Sequence, residues 1–496
     1  MKPYTKEEIR SIYGELLQLA HHEACRKHWE DALLYLEASA SWAYHYNYIY
    51  TDPDAERLLG NIAKEALPIA QYSKNNERRC VLIDSFCMDN RGLTQQYLRA
   101  MFHHEMEILY ICTADQIEVG DAILGELNSY PKCRQILFTD VRLTKTEKSK
   151  KMIEAISRFA PAHIFLHLTP WDTAALMACH SVKGGCVYNI NLTDHAYWLG
   201  ASLIDYNVEF RSYGKTVSLE KRGLRESQLL VLPYYPITPV TREFKGLPEL
   251  PQDSVKVFTG GALYKMLGYN NIFFHIMDEV LSIAPNVYIL VAGFDPSKCF
   301  DEGKKSMRHA DRVLEIGMRS DIDAVFEATD IFLGTYPTSG ALMAQYAAKH
   351  AKPIIAYHDK EDPEGKVEEI VNHYQHSFRS FSEMSNFVGY AKKLITDRSF
   401  RQREGEKLQQ GLMTETRFAE EFKGMISTHQ SSWQLDHDEI DYDAFFEKYM
   451  DNENLSNFPA TASLVRKLKL KTSRINVRRT DLMKVLGRQV WNTIRR

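Results

Sequence analysis

The chain has 496 residues, with 61 Lys plus Arg against 65 Asp plus Glu, a net charge of −4, and 44% hydrophobic residues. With 25 Gly and 17 Pro it excludes collagen-like, low-complexity and wholly disordered chains, and its length leaves room for about three domains. No run of about 18 apolar residues is present, which excludes a helix crossing a bilayer. The cysteines at 25, 80, 87, 112, 133, 179, 186 and 299 form no CxxC pair and read as reduced core residues.

The opening, MKPYTKEEIR, is charged where a secretory signal would be apolar, so a cytoplasmic protein is expected. Residues 1–75 read as a helical segment. Thr5 with Glu8 makes a capping box ahead of Ile9, Ile12, Leu16 and Leu19 at helical spacing. A second helical run carries Trp29, Leu33, Leu36, Ala40 and Ala43 on one stripe. A third opens with Asp52 as cap and Pro53 at the first helical position, where proline is tolerated.

From Arg79 short apolar runs alternate with helical stretches, at 80–86, 106–113, 135–140, 163–169, 186–194 and 207–212. Strands apolar on both faces and spaced for crossovers predict a parallel sheet covered by helices, over residues 76–240. Five prolines between Pro233 and Pro251 mark a linker. The alternation then resumes over 252–430, with runs at 255–261, 286–294, 312–318, 330–336 and 352–359 and a short one near 376–381. The fold class expected is α/β: two Rossmann-like parallel-sheet domains facing a cleft, with ligands beyond the strand ends.

Residues 431–496 are charge-segregated. Eight acids and Lys448 alone occupy 431–460, whereas 466–496 hold eleven Lys or Arg and the single acid Asp481. The basic tail either pairs with that acidic block or seeks an anionic surface. Leu482, Leu486, Val490 and Ile494 recur every fourth residue from Asp481 on, with Lys484 and Arg488 off the stripe. A basic amphipathic helix of this kind suits peripheral contact with the inner face of a membrane.

Three loops of the second unit carry the site signal. Gly260 and Gly261 end a strand and allow close backbone approach, and Lys265 follows as a cation for a phosphate. Gly317, Met318 and Arg319 end another strand, with Asp321 as the cap of the next helix. Thr338, Ser339, Gly340 and Ala341 open a helix whose free amides suit a diphosphate.

These loops, with the strings RSDIDAVFEATDIFLGTYPTSG and AKPIIA, resemble the donor half of two-domain (GT-B fold) glycosyltransferases of retaining family 4. FTGGALYKM is similar to the O-linked N-acetylglucosamine transferase family, in which Leu-Tyr-Lys supplies the diphosphate lysine, so the resemblance implies that role for Lys265. The chain departs from family 4 at Ala262 and Leu267, where that family has Arg and Lys. It departs again at Thr338-Ser339-Gly340 and Gln345-Tyr346, where the family carries its glutamates. The resemblance implies a UDP-sugar donor, bound at Gly260, Gly261, Lys265, Gly317, Met318, Arg319, Thr338, Ser339, Gly340 and Ala341.

The first unit would then hold the acceptor. His195 and His167 fall at strand ends, and histidine can take a proton from a hydroxyl near neutral pH. His195 is the candidate base, with Asp194 beside it, and His167, Asn90 and Arg91 are further acceptor-side candidates. No P-loop, metal-spaced ligand set or Gly-x-Ser-x-Gly elbow is present, and Asp321-Ile-Asp323 lies where a helix cap belongs. The expectation is therefore a metal-independent hexosyltransferase without a cofactor, acting on a glycan, lipid-linked or protein acceptor and not on nucleic acid. Its rivals are a catalytically inactive glycosyltransferase-like subunit supporting a partner enzyme and a sugar-nucleotide 2-epimerase.

Overall fold

The computed structural model describes residues 4–73, 76–90, 92–113, 120–139, 142–237, 243–268, 271–360, 363–373, 378–455, 459–478, 481–483 and 485. Three helices come first: Lys6–Cys25, Trp29–Tyr46 and Pro53–Ala66. The capping box closes with the Glu8 amide donating to Thr5 Oγ1 (3.2 Å) and the Thr5 amide to Glu8 Oε2 (2.7 Å). Asp52 accepts from the Asp54 amide at 2.8 Å, with Pro53 at the first position. Leu16, Leu33, Trp42 and Ile62 share one core with Val81, Ile83, Ile111 and Ile164 of the first sheet, so the helices cover one face of that sheet.

The first large sheet is wholly parallel. Its seven strands run in the order Cys133–Leu137, Glu107–Cys112, Arg79–Asp84, His163–His167, Cys186–Ile190, Tyr206–Glu209, Leu229–Val231. The second is also parallel, ordered Val313–Gly317, Val287–Ala292, Val255–Gly260, Ile331–Leu333, Ile354–Ile355. In both, the chain direction across the sheet reverses beside the first strand. At that point the flanking loops splay apart and leave a crevice at the strand ends.

Three expectations change at this level. Strands end earlier than their apolar runs, at His167 and Ile190 in the first sheet and at Leu333 in the second, because the remaining residues turn into loops above the sheet. The run near 376–381 forms only an isolated bridge between Tyr357 and Phe381 among the described residues. Leu229–Val231, which enters the proline-rich stretch, is a seventh strand that the sequence pattern does not announce.

Helix Glu415–Thr428 crosses back and buries Phe418, Phe422 and Met425 against Tyr97 and Phe165 of the first domain. The acidic segment then runs along that domain. Lys215 Nζ donates to the Leu435 carbonyl (3.0 Å), the Asp438 amide donates to Thr216 Oγ1 (2.9 Å), and Phe445 packs with Tyr50, Tyr213 and Val217. Its helix Tyr442–Leu455 precedes helix Pro459–Leu468, whose Ser463 hydroxyl meets that of Ser41 at 2.8 Å.

Pairing between the acidic block and the basic tail is not what the chain does among the described residues. Lys471 pairs with Asp31, Arg474 with Glu23 (3.3 Å) and Arg478 with Glu8 (2.5 Å), all on the first two helices. Asp443 and Glu447 instead take Lys6 (3.1 and 3.3 Å), and Asp438 takes Lys366 (2.8 Å). The rest of the amphipathic tail, with Lys484 and everything from Leu486 on, lies outside the described residues. No described helix is long and apolar enough to cross a membrane.

A candidate functional site in the cleft between the sheets

A cavity of about 640 Å³ opens between the strand ends of the two domains. On the side of the second domain it is lined by Gly261, Tyr264, Lys265, Thr338, Ser339, Gly340 and Ala341. Gly261 donates its amide to the Ala292 carbonyl (3.1 Å), which folds the loop back over the neighbouring strand. Gly293 lies directly beneath, at φ +108°, where a Cβ would stand 2.3 Å from the Gly261 carbonyl oxygen. Only glycine permits both that backbone angle and that approach.

The short 3-10 turn Leu263–Lys265 then aims the lysine at the helix Ala341–Lys349. Lys265 Nζ donates to the Ser339 carbonyl oxygen at 2.8 Å. Burial lowers the ammonium pKa below the ordinary lysine value; Glu364 opposes that shift and Arg211 adds to it. Gly340 caps the helix without a side-chain hydrogen bond, so the first-turn amides keep no intrahelical acceptor. Ala341, Leu342 and Met343 line the cavity at that turn. An ammonium against an open helix N-terminus is an anion seat.

Gly317, Met318 and Arg319 do not reach this cavity. Arg319 holds Asp321 through two bonds (2.8 and 2.6 Å) and the Gly246 carbonyl (2.8 Å), and Met318 is 56% exposed. The pairing also removes Asp321 from its expected capping role: it makes no side-chain cap bond, and its second oxygen accepts the Lys245 amide at 2.8 Å. Asp323 is engaged by His350 at 2.6 Å.

The first domain contributes Asp194, His195 and Arg211. His195 Nδ1 lies 3.2 Å from Asp194 Oδ1, and Arg211 bonds the same carboxylate through Nε (2.5 Å) and Nη2 (2.9 Å). Burial alone would raise the Asp194 pKa, but the Arg211 charge and the His195 contact hold it well below the usual carboxylate range. The Asn47 side-chain amide anchors the His195 carbonyl at 2.5 Å.

His167 and Asn90 are not brought to the cavity. His167 is fully buried, with Nδ1 3.0 Å from Asp84 Oδ1 and 3.2 Å from Thr94 Oγ1. Its ring lies one layer behind Gly92, which does line the cleft. Asn90 donates its backbone amide to Gln95 Oε1 at 2.7 Å. Arg91 lies outside the described residues.

Four further contributors escape the sequence reasoning. Glu364, beyond strand Ile354–Ile355, lines the cavity at a domain junction where its carbonyl accepts from Arg211 Nη1 (2.8 Å). Its carboxylate faces Arg211 (3.7 Å) and Lys448 (3.6 Å), and those cations hold its pKa low against burial. Tyr449, next to that lysine, lines the cavity with its ring 5.8 Å from that of His195. Tyr44 and His45 arrive from helix Trp29–Tyr46. A strand-end rule would have found Glu364, and the lone base among eight acids pointed to Lys448; nothing local marks Tyr44, His45 or Tyr449.

The only described grouping with metal-ligand spacing is His103, His104 and Glu420; His104 there already meets the Ala419 carbonyl at 2.7 Å, and none of the three lines the cleft.

Two Rossmann-like domains with their strand ends facing one cleft define the GT-B fold. The structure is similar to a mutant of the Thermobaculum terrenum O-GlcNAc transferase (TM-score 0.55, 15% identity, 89% of this chain and 85% of that one). It is also similar to a glycosyltransferase from Rickettsia africae ESF-5 (TM-score 0.51, 12% identity, 71% of this chain and 98% of that one). At such identities the likeness is one of fold. No protein-family model matches the chain, and no curated protein matches it by sequence.

Proposed function

We propose that the protein is a glycosyltransferase that moves a sugar from a nucleotide-sugar, of the UDP type, to an acceptor hydroxyl. The observation that carries this reading is the Lys265 ammonium against the open turn of helix Ala341–Lys349, across one cavity from the His195–Asp194 pair. The acceptor oxygen forms a bond to the anomeric carbon while the bond to the diphosphate oxygen breaks and its electron pair leaves with the diphosphate. Lys265 and the first-turn amides stabilise that developing charge, an effect worth roughly 10²–10³ in rate for each well-placed donor. Asp194, ionised, accepts from His195 Nδ1–H, which fixes the tautomer and leaves Nε2 to take the acceptor proton. Such a base contributes about 10²–10⁴.

Gln345 favours the alternative of a non-catalytic subunit. It stands where family 4 enzymes carry a glutamate, and its amide is committed to the Tyr234 (2.9 Å) and Ile370 (3.2 Å) carbonyls. Release of UDP from a panel of UDP-sugars, with His195→Gln and Lys265→Ala as controls, separates the two. Turnover lost in both variants, with UDP affinity lost only in Lys265→Ala, supports the enzyme. UDP binding by the wild type without turnover on any acceptor overturns it.

A further inference from the structure

A second cavity, of about 340 Å³, lies outside the cleft, where helix Lys6–Cys25, the segment 47–51 and helix Tyr442–Leu455 meet. It shares no lining residue with the first and falls within the size range of small-molecule pockets. Asn47 ends helix Trp29–Tyr46 in the left-handed conformation, at φ +51°, which asparagine tolerates. The chain then lays Tyr48 and Thr51 along the cavity, and Tyr442 and Phe446, one helical turn apart, supply a further wall.

The charges around it do not cancel. Lys6 is taken by Asp443 (3.1 Å) and Glu447 (3.3 Å). Arg10 and Lys221, both exposed, line the same cavity and have no carboxylate partner among the described residues. Lys221 Nζ rests 3.9 Å from the Tyr442 ring centroid. Two positive charges are therefore left to meet an anion.

The polar groups within are also incomplete. The Asn47 side chain is 1% exposed, and its Nδ2 is spent on the His195 carbonyl at 2.5 Å. A carbonyl can only accept, so the amide orientation is fixed and Oδ1 remains an acceptor. That oxygen and Thr51 Oγ1 are buried with no hydrogen-bond partner among the described residues. Buried polar atoms are normally satisfied, and two orphans on one short segment lining one cavity call for a donor from outside the chain.

We propose that this cavity binds a small phosphate ester of a hydroxyl-bearing ring. Arg10 and Lys221 take the phosphate, ring hydroxyls donate to Asn47 Oδ1 and Thr51 Oγ1, and the ring lies against Tyr48 and Tyr442. Arginine offers phosphate a planar fork and lysine a point charge, and aromatic faces suit either a sugar or a base. No bond changes on binding. The inference is independent of the glycosyltransferase reading.

The test titrates the full chain by calorimetry with adenosine 5′-monophosphate and glucose 6-phosphate, each beside its unphosphorylated parent and inorganic phosphate. The variants are Arg10→Gln with Lys221→Met, Thr51→Val, and Lys265→Ala in the cleft. At least one ester is expected to bind about ten-fold or more tighter than its parent or phosphate alone, and the double variant to lose that advantage. Thr51→Val weakens the ester about 2–10-fold, and Lys265→Ala leaves it unchanged. A preference for the adenosine ester assigns a nucleotide, and one for the glucose ester assigns a sugar phosphate. Both cations are exposed and hold no carboxylate, so the double variant should melt with the wild type. If it does not, Arg10→Gln and Lys221→Met singly, each expected to lose about three-fold, give the decision. Esters that bind no better than their parents, or as well without the two charges, overturn the inference. Binding lost in Lys265→Ala belongs to the cleft and overturns it too. A wild type that binds no UDP removes the donor reading and leaves this inference standing.

Discussion

The Lys265 ammonium donates to the Ser339 main-chain oxygen across 2.8 Å, tying the loop after strand Val255–Gly260 to the turn that opens helix Ala341–Lys349. The bond spends the lysine on a carbonyl, a neutral partner for a buried charge. A diphosphate arriving at the helix N-terminus would offer the same ammonium a full counter-charge.

Lys265→Met should therefore separate stability from binding. Its folded-state pKa lies below the ordinary 10.5, so the unfolded chain binds more protons between the two values and stability rises with pH there. At neutral pH the charge is a cost, and the methionine variant should be more stable by about 1 kcal/mol while UDP affinity falls about 10–100-fold. Thermal melts with and without UDP, repeated from pH 7 to 10, check both. The wild type should lose UDP affinity at a lower pH than an ordinary lysine would dictate.

Asp194 is held by Arg211 more firmly than by His195, at 2.5 and 2.9 Å against 3.2 Å. Asp194→Ala would strand a buried guanidinium and should cost about 3–5 kcal/mol, measured as a fall in denaturation midpoint. Adding Arg211→Met should return much of that loss without restoring turnover. A single variant of wild-type stability would contradict the buried pair.

Gly293→Ala forces a Cβ to 2.3 Å from the Gly261 carbonyl at a backbone angle of +108°. The expected cost is about 2–4 kcal/mol, and the displaced Gly261 loop should weaken UDP binding as well. Gly389→Ala, where nothing lies within 4 Å, serves as the control and should be neutral or stabilising.

His373 accepts from the Met413 amide through Nδ1 at 2.9 Å, and burial lowers its pKa to about 4. The fold keeps this ring neutral while the unfolded chain protonates it near 6.5. Stability from His373 is therefore complete above about pH 6.5 and drains away as pH falls toward 4. Melts from pH 7 to 4.5 should show that loss, and His373→Asn should flatten the slope while lowering stability at pH 7.

How far the sequence reaches can be seen strand by strand. Strand Val255–Gly260 is legible because its alternation of crossover helix and doubly buried strand repeats five times in the second unit. Strand Leu229–Val231 is not, since three apolar residues entering a proline-rich stretch carry no period. Lys265 and the Thr338–Ala341 turn were legible as strand-end loops, and they meet. Arg319 had the same kind of local pattern, but its charge found Asp321 two residues away before any ligand. Tyr44, His45 and Tyr449 were hidden because no local signal states which distant segments will share a wall.

The sequence by itself determined two parallel α/β units with glycine-bearing strand ends, because strand burial, helix periodicity and glycine's backbone freedom are written over a few neighbouring residues. Only the tertiary structure decided that the acidic segment roofs the cleft with Tyr449, and that the described part of the basic tail lies on the first two helices and not on that segment. Charges a hundred or more residues apart choose partners by packing geometry, and a linear pattern of signs holds no record of that choice.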